Sequence, residues 1–340
     1  MLKVNLKKFM KSWGNKMAYN NKKPFFFLST QNLDQELGHT LNFIWANYVS
    51  LRDMWWQVRG YNQAFPTQNI DNLNNKFLSG LPNPGKIDLK EVCINTEWFA
   101  HENEFCKWLI FDCCTLYEGW LENICNDLFP PKESKQHSKN LQFPSAINSK
   151  GNITGYTVTL NEIQANKSQF IENEFYSNVK NHKLNKLSKI NEYLIVYRYF
   201  KECRNTFIHS NGVVNTEVLD AYNNLNSIKQ NSSILLKFTL DAPILGNRIK
   251  LNLEDCKLFS FIIRNIIATF DAELSIHCNS EKILENRIKN LIATSNKWKN
   301  ISSDIDKKLN KIHRILIAAR IPEPIDINNV KNWMETKNLI

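Results

Sequence analysis

Three long stretches of this 340-residue chain contain no proline and place apolar side chains at the spacing of an α-helix. They run from residue 31 to 63, from 96 to 129 and from 187 to 210. Each is much longer than a typical strand or an average helix. The sequence therefore predicts a mainly α-helical fold in which these segments bury broad apolar faces.

Local residues set the ends of the predicted helices. Thr96 suits the N-cap of the second stretch, and Pro130–Pro131 stop it. Asn211–Gly212 supply the left-handed residue that commonly ends a helix, so the third stretch ends there. Leu81–Lys86 holds two prolines and a glycine, which makes it a candidate domain edge.

The pattern is weaker between the second and third stretches. Residues 131–155 lack periodicity and are rich in small and polar residues, which predicts a long loop. The segment Thr154–Leu160 predicts a short strand, and a helix is expected to follow through Phe170 and Phe175. Lysines then recur every third residue, which predicts a basic stripe around a helix or simply a solvated face. These lysines are Lys180, Lys183, Lys186 and Lys189.

The rest of the chain predicts further helices and one small β-hairpin. A helix is expected over Thr216–Lys229, and the hairpin pairs Ile234–Leu240 with Arg248–Leu251. Asn252 and Asp255 resemble a capping pair that opens a buried helix. The two last predicted helices are amphipathic and cover Ser280–Lys299 and Asp304–Arg320.

The formal charge of +10 and the pI near 9.1 point to a polyanionic partner. Nucleic acid comes first and an anionic membrane surface second, because both attract cationic side chains and release counterions. The first 23 residues carry seven lysines and no acid. They predict either a basic helix that touches RNA or a membrane, or a frayed or packed terminus.

Several features exclude other classes of protein. The most apolar long stretch, residues 258–276, contains Arg264, Asp271 and Glu273, which predicts a buried helix rather than a membrane span. None of the eight cysteines forms a C-x-x-C pair, so we expect reduced thiols in a cytoplasmic protein and no structural metal. With ten glycines and no phosphate-loop motif, no cofactor is expected.

The segment Phe200–Gly212 places an arginine, an amide and a histidine near a predicted helix end. At about 100° per residue, Asn205 and His209 lie about 40° apart, so the amide can orient the imidazole. Arg204 and His209 lie about 140° apart and cannot meet within one regular helix. They can meet if the helix unwinds at His209, or if a second copy of the helix crosses it in a homodimer.

These residue types suit RNA cleavage by the neighbouring 2'-hydroxyl. That reaction needs a base, an acid and positive charge on the phosphoryl oxygens, which histidine and arginine supply. A purely structural interpretation also stands: Arg204 pairs with an acid, and His209 is hydrogen-bonded near the helix end. Glu202 either pairs with Arg198, one turn earlier, or restrains the site.

The string from Arg204 to His209, R-N-T-F-I-H, matches the R-polar-x-x-x-H motif, and the chain resembles the HEPN superfamily of all-helical nucleases and nucleotide-binding domains. Leu109–Ile124 is similar to the long first helix of such domains. The resemblance covers about residues 96–278. It implies a HEPN-like helical bundle there, with helical extensions at 1–95 and 279–340.

The resemblance also implies roles. Arg204 and His209 would be the catalytic pair, and Asn205 would position His209 or the substrate. The candidate RNA contacts are Ser210, Asn211 and Lys201. Nucleases of the family are metal-independent endoribonucleases that act as dimers or paired domains, and many are toxins or antiviral effectors. The resemblance therefore implies a homodimer that cleaves single-stranded or loop RNA, with an antitoxin or a defence-system protein as a further partner.

Two other functions stand beside this one. A non-catalytic module of the same fold would use a cationic dimer cleft to bind RNA, a nucleotide or a protein partner. A peripheral membrane protein would use the basic residues 1–23.

Overall fold

The computed structural model describes residues 25–67, 69–78, 87–230, 232–299 and 302–340. Within these ranges the fold is mainly helical, as predicted. The helices are α1 (Leu28–Ala64), α2 (Ile70–Leu78), α3 (Trp98–Leu128), α4 (Pro131–Asn140), α5 (Tyr156–Ala165), α6 (Gln169–Ile171), α7 (Ser177–Lys180), α8 (Ile190–His209), α9 (Thr216–Lys229), α10 (Leu253–Ser275), α11 (Cys278–Thr294), α12 (Asn296–Lys299), α13 (Ile305–Ala318) and α14 (Ile327–Thr336). Short π-helical turns cover Glu91–Asn95 and Glu172–Tyr176, and 3-10 turns cover Leu187–Lys189 and Leu235–Lys237. Strands β1 (Ala146–Ile147) and β2 (Ile153–Thr154) form an antiparallel hairpin.

Helix α3 lies at the centre of the fold. It packs against α1, α4, α8, α10 and α11, because apolar side chains cover much of its circumference. Ile110 and Leu121 on this helix are fully buried. Truncating a leucine in such a position to alanine costs about 2–5 kcal/mol of stability.

One apolar core contains residues from all three predicted divisions of the chain. Leu37, Ile267 and Met334 belong to it, and they come from the first, second and third divisions. A smaller core around Trp55 and Cys93 joins α1 to the π-helical turn before α3. The divisions at 95/96 and 278/279 stay a prediction.

The predicted end of α8 is confirmed. Asn211 and Gly212 both have positive φ, at 49° and 76°. The N–H groups of Ser210 and Gly212 donate to the carbonyl oxygen of Thr206, at 2.9 and 3.0 Å. Carbonyl groups that the helix would leave unpaired are satisfied in this way.

Helices α9 and α10 are also confirmed. The α9 bounds match the predicted Thr216–Lys229. At the start of α10, the Asn252 side-chain oxygen accepts the N–H of Asp255 at 2.8 Å. The Asn252 amide in turn donates to the Asp255 carboxylate at 2.6 Å, so the predicted capping pair is present.

Three predictions between residues 96 and 160 are wrong. Glu97 is the residue before α3, and the Thr96 hydroxyl instead donates to the Glu91 carbonyl oxygen at 2.8 Å. The predicted loop at 131–155 contains helix α4, because Pro131 suits the first helical turn, where no N–H is needed. Of the predicted strand Thr154–Leu160, only Thr154 lies in a strand, β2, and α5 begins at Tyr156.

Two later predictions are wrong as well. The predicted hairpin between Ile234–Leu240 and Arg248–Leu251 does not form, because Arg248 bridges to Val213 instead. The chain leaves the helix after Lys180, so the four lysines do not line one helix. Helix α14 was not predicted from the sequence.

Two interpretations concern residues outside the described ranges: the basic segment 1–23 and the break at Leu81–Lys86. Among the helices that are described, none combines the length and the apolar character needed to cross a bilayer. Glu273, one of the charges that argued against a span, accepts the Tyr176 hydroxyl at 2.9 Å.

A buried carboxylate in α10 holds the chain just before α1. Asp271 accepts the N–H groups of Phe26 and Phe27 at 2.5 and 3.1 Å. Arg287 lies close by and donates to the carbonyl oxygens of Phe26 and Arg320, at 3.0 and 2.6 Å. Burial raises the pKa of Asp271 to about 7, although hydrogen bonds and Arg287 oppose the rise.

Candidate active site

The motif residues lie on the exposed arc of α8. The opposite arc, with Phe200, Cys203 and Thr206, is buried in the core. At about 100° per residue, the partly or fully exposed side chains from Arg198 to His209, apart from Phe207, span about 160° of the helix surface. In angular order from one edge of this arc to the other they are Arg204, Ile208, Lys201, Asn205, Arg198, His209 and Glu202.

Arg204 is held by a carboxylate of α3. Its Nη2 donates to both oxygens of Glu118, each at 2.7 Å. The Arg204 side chain is only 18% exposed, and its buried Nε has no hydrogen-bond partner among the residues that the structure describes. The guanidinium is thus fixed in the groove between α3 and α8, where charge-assisted bonds of this length are strong.

A small polar network supports this contact. Lys201 lies 3.1 Å from Glu118 and 2.5 Å from the side-chain oxygen of Gln142. The Tyr197 hydroxyl donates to Glu118 at 2.8 Å. Glu118 therefore has three side-chain donors, two of which are cationic.

The pKa shifts of Glu118 and Arg204 both favour the charged form of the side chain. Burial raises the pKa of Glu118, but Lys201, the Tyr197 hydroxyl and Arg204 outweigh it, and the pKa lies below its usual value. Burial lowers the pKa of Arg204, while Glu118 raises it further, so the net shift is upward. Both partners are therefore ionised at neutral pH.

Asn205 contacts Glu202, not His209. Its Nδ2 donates to Glu202 at 3.0 Å. Glu202 also pairs with Arg198, which confirms that predicted ion pair. The role of Asn205 in positioning His209 stays a prediction.

His209, Ser210 and Asn211 are exposed at the end of α8. In the part of the chain that the structure describes, the His209 side chain makes no hydrogen bond or ion pair. Arg204 lies five residues earlier, about 7.5 Å along the axis and about 140° around it. A single chain therefore does not bring the predicted catalytic pair together, and His209 lacks the hydrogen bond that the structural interpretation gave it. The pairing of Arg204 with an acid, also part of that interpretation, is found.

The described residues contain no cluster of three or more His, Cys, Asp or Glu side chains able to hold a metal ion. All eight cysteines are free thiols, and seven of them are buried. Burial raises the pKa of Cys114 and Cys203, beside the Arg204 network, to about 12. These thiols are protonated at neutral pH and act as core side chains.

Sequence reasoning missed Glu118, Gln142 and Tyr197. Glu118 lies within Leu109–Ile124, the segment that resembles a HEPN first helix, yet no spacing rule links it to Arg204 far along the chain. Its helical position gave one clue, since its neighbours on the helix surface, Cys114 and Leu121, are buried, and a carboxylate beside them needs a partner.

Comparisons with protein-family models, with curated proteins and with solved structures find no match to this chain.

Proposed function

We propose that this protein is a metal-independent endoribonuclease that cleaves single-stranded or loop RNA at a dimeric site formed by Arg204 and His209. The observation that supports it best is the contrast between the two motif residues, which lie towards opposite edges of the exposed arc of α8. The Arg204 guanidinium is fixed and charged, whereas the His209 imidazole is exposed and has no partner among the described residues. Unstacked RNA loops present the 2'-hydroxyl and backbone that such a site requires.

The reaction needs two imidazoles. One neutral His209 takes the proton of the 2'-hydroxyl, and the oxygen attacks the adjacent phosphorus. The bond from phosphorus to the 5'-oxygen breaks, and a protonated His209 of the second copy gives that oxygen its proton. The products are a 2',3'-cyclic phosphate and a 5'-hydroxyl, and Arg204 stabilises the phosphoryl oxygens in the transition state.

Ile208 supports a two-fold contact at this point. Its side chain is 51% exposed and lies on the arc between Arg204 and His209. An isologous contact centred on Ile208 would bury it and bring two copies of each motif residue to one cleft. Ile208→Glu is expected to shift the protein from dimer to monomer in light scattering and to abolish cleavage. A dimeric or fully active Ile208→Glu protein would contradict this arrangement.

Cleavage in chelator tests the activity itself. Purified protein is incubated with tRNA and total RNA in EDTA, and the products are examined for a cyclic phosphate end. His209→Ala is expected to lower the rate by about 100-fold or more, because general acid–base catalysis is lost. His313→Ala serves as the control, since His313 is an exposed histidine on α13. Arg204→Lys keeps a charge beside Glu118 but loses the planar fork, and is also expected to be slow.

One observation favours the non-catalytic alternative. Glu118 neutralises Arg204 within the chain, so a phosphate must compete with a carboxylate for this guanidinium. A module of this kind would bind RNA tightly and leave it intact in the same incubation. Tight RNA binding, with RNA that stays intact after incubation with either wild type or His209→Ala, would establish the non-catalytic module.

The cellular setting follows from the resemblance to HEPN toxins. We place the enzyme in the cytoplasm as a toxin or antiphage effector, restrained by an antitoxin or a defence-system partner. Induced expression in bacteria is expected to stop growth with the wild-type protein and not with His209→Ala.

A further inference from the structure

A cavity of about 70 Å³ lies at the end of α8, close in the sequence to the exposed His209. Its lining includes Lys107 of α3, Phe207 of α8, Asn211 and Gly212 after α8, and Arg248. Asn211 follows His209 by two residues, so their Cα atoms are at most about 7.6 Å apart. The cavity therefore lies near the backbone that carries His209, although the imidazole itself is not part of the lining.

Arg248 is an available cation on a fixed backbone. The Ile249 N–H donates to the Gly212 carbonyl oxygen at 2.9 Å, and the Val214 N–H donates to the Asn247 carbonyl oxygen at 2.9 Å. The Arg248 side chain is exposed and has no acidic partner in the described part of the chain. Its guanidinium can therefore bind an anion without first breaking an ion pair.

Lys107 is only loosely paired. Its Nζ lies 3.4 Å from Glu104, whose side chain is 58% exposed. A charge-assisted hydrogen bond is shorter, about 2.7–2.9 Å, and exposed pairs of this kind contribute about 0–1 kcal/mol. The same Nζ lies 6.0 Å from the Phe207 ring centroid, at the wall of the cavity. Little free energy holds Lys107 away from a bound anion.

The charges around the cavity favour an anion by a small margin. Lys107 and Arg248 contribute two positive charges and Glu104 one negative charge. The C-terminal end of α8 adds about half a negative charge, which opposes an anion there. The sum is about half a positive charge, and a protonated His209 adds one more. The mainly polar lining suits a phosphate group better than an apolar ligand.

We propose that this cavity binds a backbone phosphate of RNA next to the scissile linkage, with Lys107 and Arg248 as its ligands. The inference rests on the proposed function, because it takes RNA as the substrate. It extends the site from the motif on α8 to α3 and to the segment before α10. It also assigns to Lys107 and Arg248 a role in binding that the motif alone does not reveal.

RNA binding without cleavage tests the proposal. The probe is a labelled single-stranded oligonucleotide with methylated 2'-hydroxyls, which the 2'-hydroxyl reaction cannot cleave, and its affinity is measured by anisotropy over a series of salt concentrations. The variant combines Lys107→Gln with Arg248→Gln. Loss of the one phosphate contact should flatten the plot of log affinity against log salt by about 0.7.

Two controls separate the cavity from general charge. Lys132→Gln with Lys282→Gln removes the same charge from exposed positions near the opposite end of α3, where Asn279 of α11 contacts the Leu128 carbonyl oxygen. This control should leave the salt slope unchanged. Glu104→Gln should tighten binding, because it removes the negative charge that competes for Lys107.

The outcomes distinguish the two proposals. A flatter slope in the cavity variant alone supports the phosphate site, even if unmodified RNA is never cleaved and the proposed enzyme function fails. Equal slopes in the cavity variant and the charge control overturn the phosphate site, and so does an oligonucleotide that the wild-type protein does not bind. In either case the cleavage assay with His209→Ala still decides the enzyme function by itself.

Discussion

Glu118 in α3 and Asp271 in α10 are both carboxylates that hold a neighbouring segment, but their surroundings differ. Glu118 retains 23% of its side-chain exposure and faces two cations, Lys201 and Arg204. Asp271 is fully buried, and its direct partners include two backbone N–H groups. Arg287 is the cation near it, but backbone carbonyl oxygens take the hydrogen bonds of its guanidinium.

The contrast shows when burial decides the charge of a carboxylate. Burial is the largest influence at both sites, and it raises the pKa of Asp271 to about 7. At Glu118 the same influence loses to Lys201, Tyr197 and Arg204, and the pKa is lowered. Asp271 is therefore suited to anchoring the backbone before α1, whereas Glu118 keeps its charge and fixes Arg204 at the candidate site.

The largest expected effect comes from removing the anchor. Asp271→Ala should lower the free energy of unfolding by about 3–5 kcal/mol, because it leaves two buried N–H groups without an acceptor and removes the carboxyl group near the buried Arg287. Urea denaturation followed by circular dichroism measures the loss. Asp241→Ala, at an exposed position, is the control and should change stability by less than about 0.5 kcal/mol. Equal stabilities would show that Asp271 does not hold the 25–27 segment.

A smaller effect is expected at Glu118. Glu118→Gln removes the charge that Lys201 and Arg204 share and should cost about 1–3 kcal/mol of stability. If Glu118 positions Arg204, kcat for RNA cleavage should fall while KM changes little. Glu122→Gln, one turn later on the exposed side of α3, is the matched control. Faster cleavage by Glu118→Gln would show that the carboxylate restrains Arg204 instead of positioning it.

The smallest effect is a difference in pH dependence. The pKa of Asp271 is raised from its ordinary 3.8, so its contribution to stability is complete below that value and is lost as the pH rises through about 7. One proton limits the slope to about 1.4 kcal/mol per pH unit. Wild type should lose stability relative to Asp271→Asn between pH 5 and 7, as followed by urea midpoints.

Glu118 should show the opposite sign. Its pKa is lowered, so its contribution is present above the ordinary value of 4.5 and is lost as the pH falls. Relative to Glu118→Gln, wild type should therefore lose stability only under acid conditions. If stability changed with pH in the same way in wild type and in both variants, the two carboxylates would not differ in their pH dependence.

Short-range sequence patterns correctly predicted the helix ends that neighbouring residues determine. Asn211–Gly212 end α8 because left-handed residues act locally, and the Asn252 cap works in the same way. Helix α4 was missed because its residues are mostly polar and give little periodicity, although Pro131 suits a helix start. The hairpin predicted at 234–251 failed because Arg248 pairs with Val213, a tertiary contact that no local pattern encodes.

The same limit applies to the candidate site. The motif on α8 identified Arg204 and His209, and the helical angles correctly indicated that they do not meet in one regular helix. The partner of Arg204 comes from α3, and the cavity at the end of α8 draws Lys107 from α3 and Arg248 from the segment before α10. These side chains come together only because α3 and the segment before α10 both pack against α8.

The end of α8 has a mechanical consequence. Glu118 tethers Arg204 to α3, but His209 lies beyond the tether, in the final turn. That turn is closed by the Thr206 carbonyl oxygen, which accepts both the Ser210 and Gly212 N–H groups. Loss of these two hydrogen bonds would loosen the backbone after His209, whereas the Glu118 contact would still hold Arg204. The two motif residues are thus held in place by different contacts.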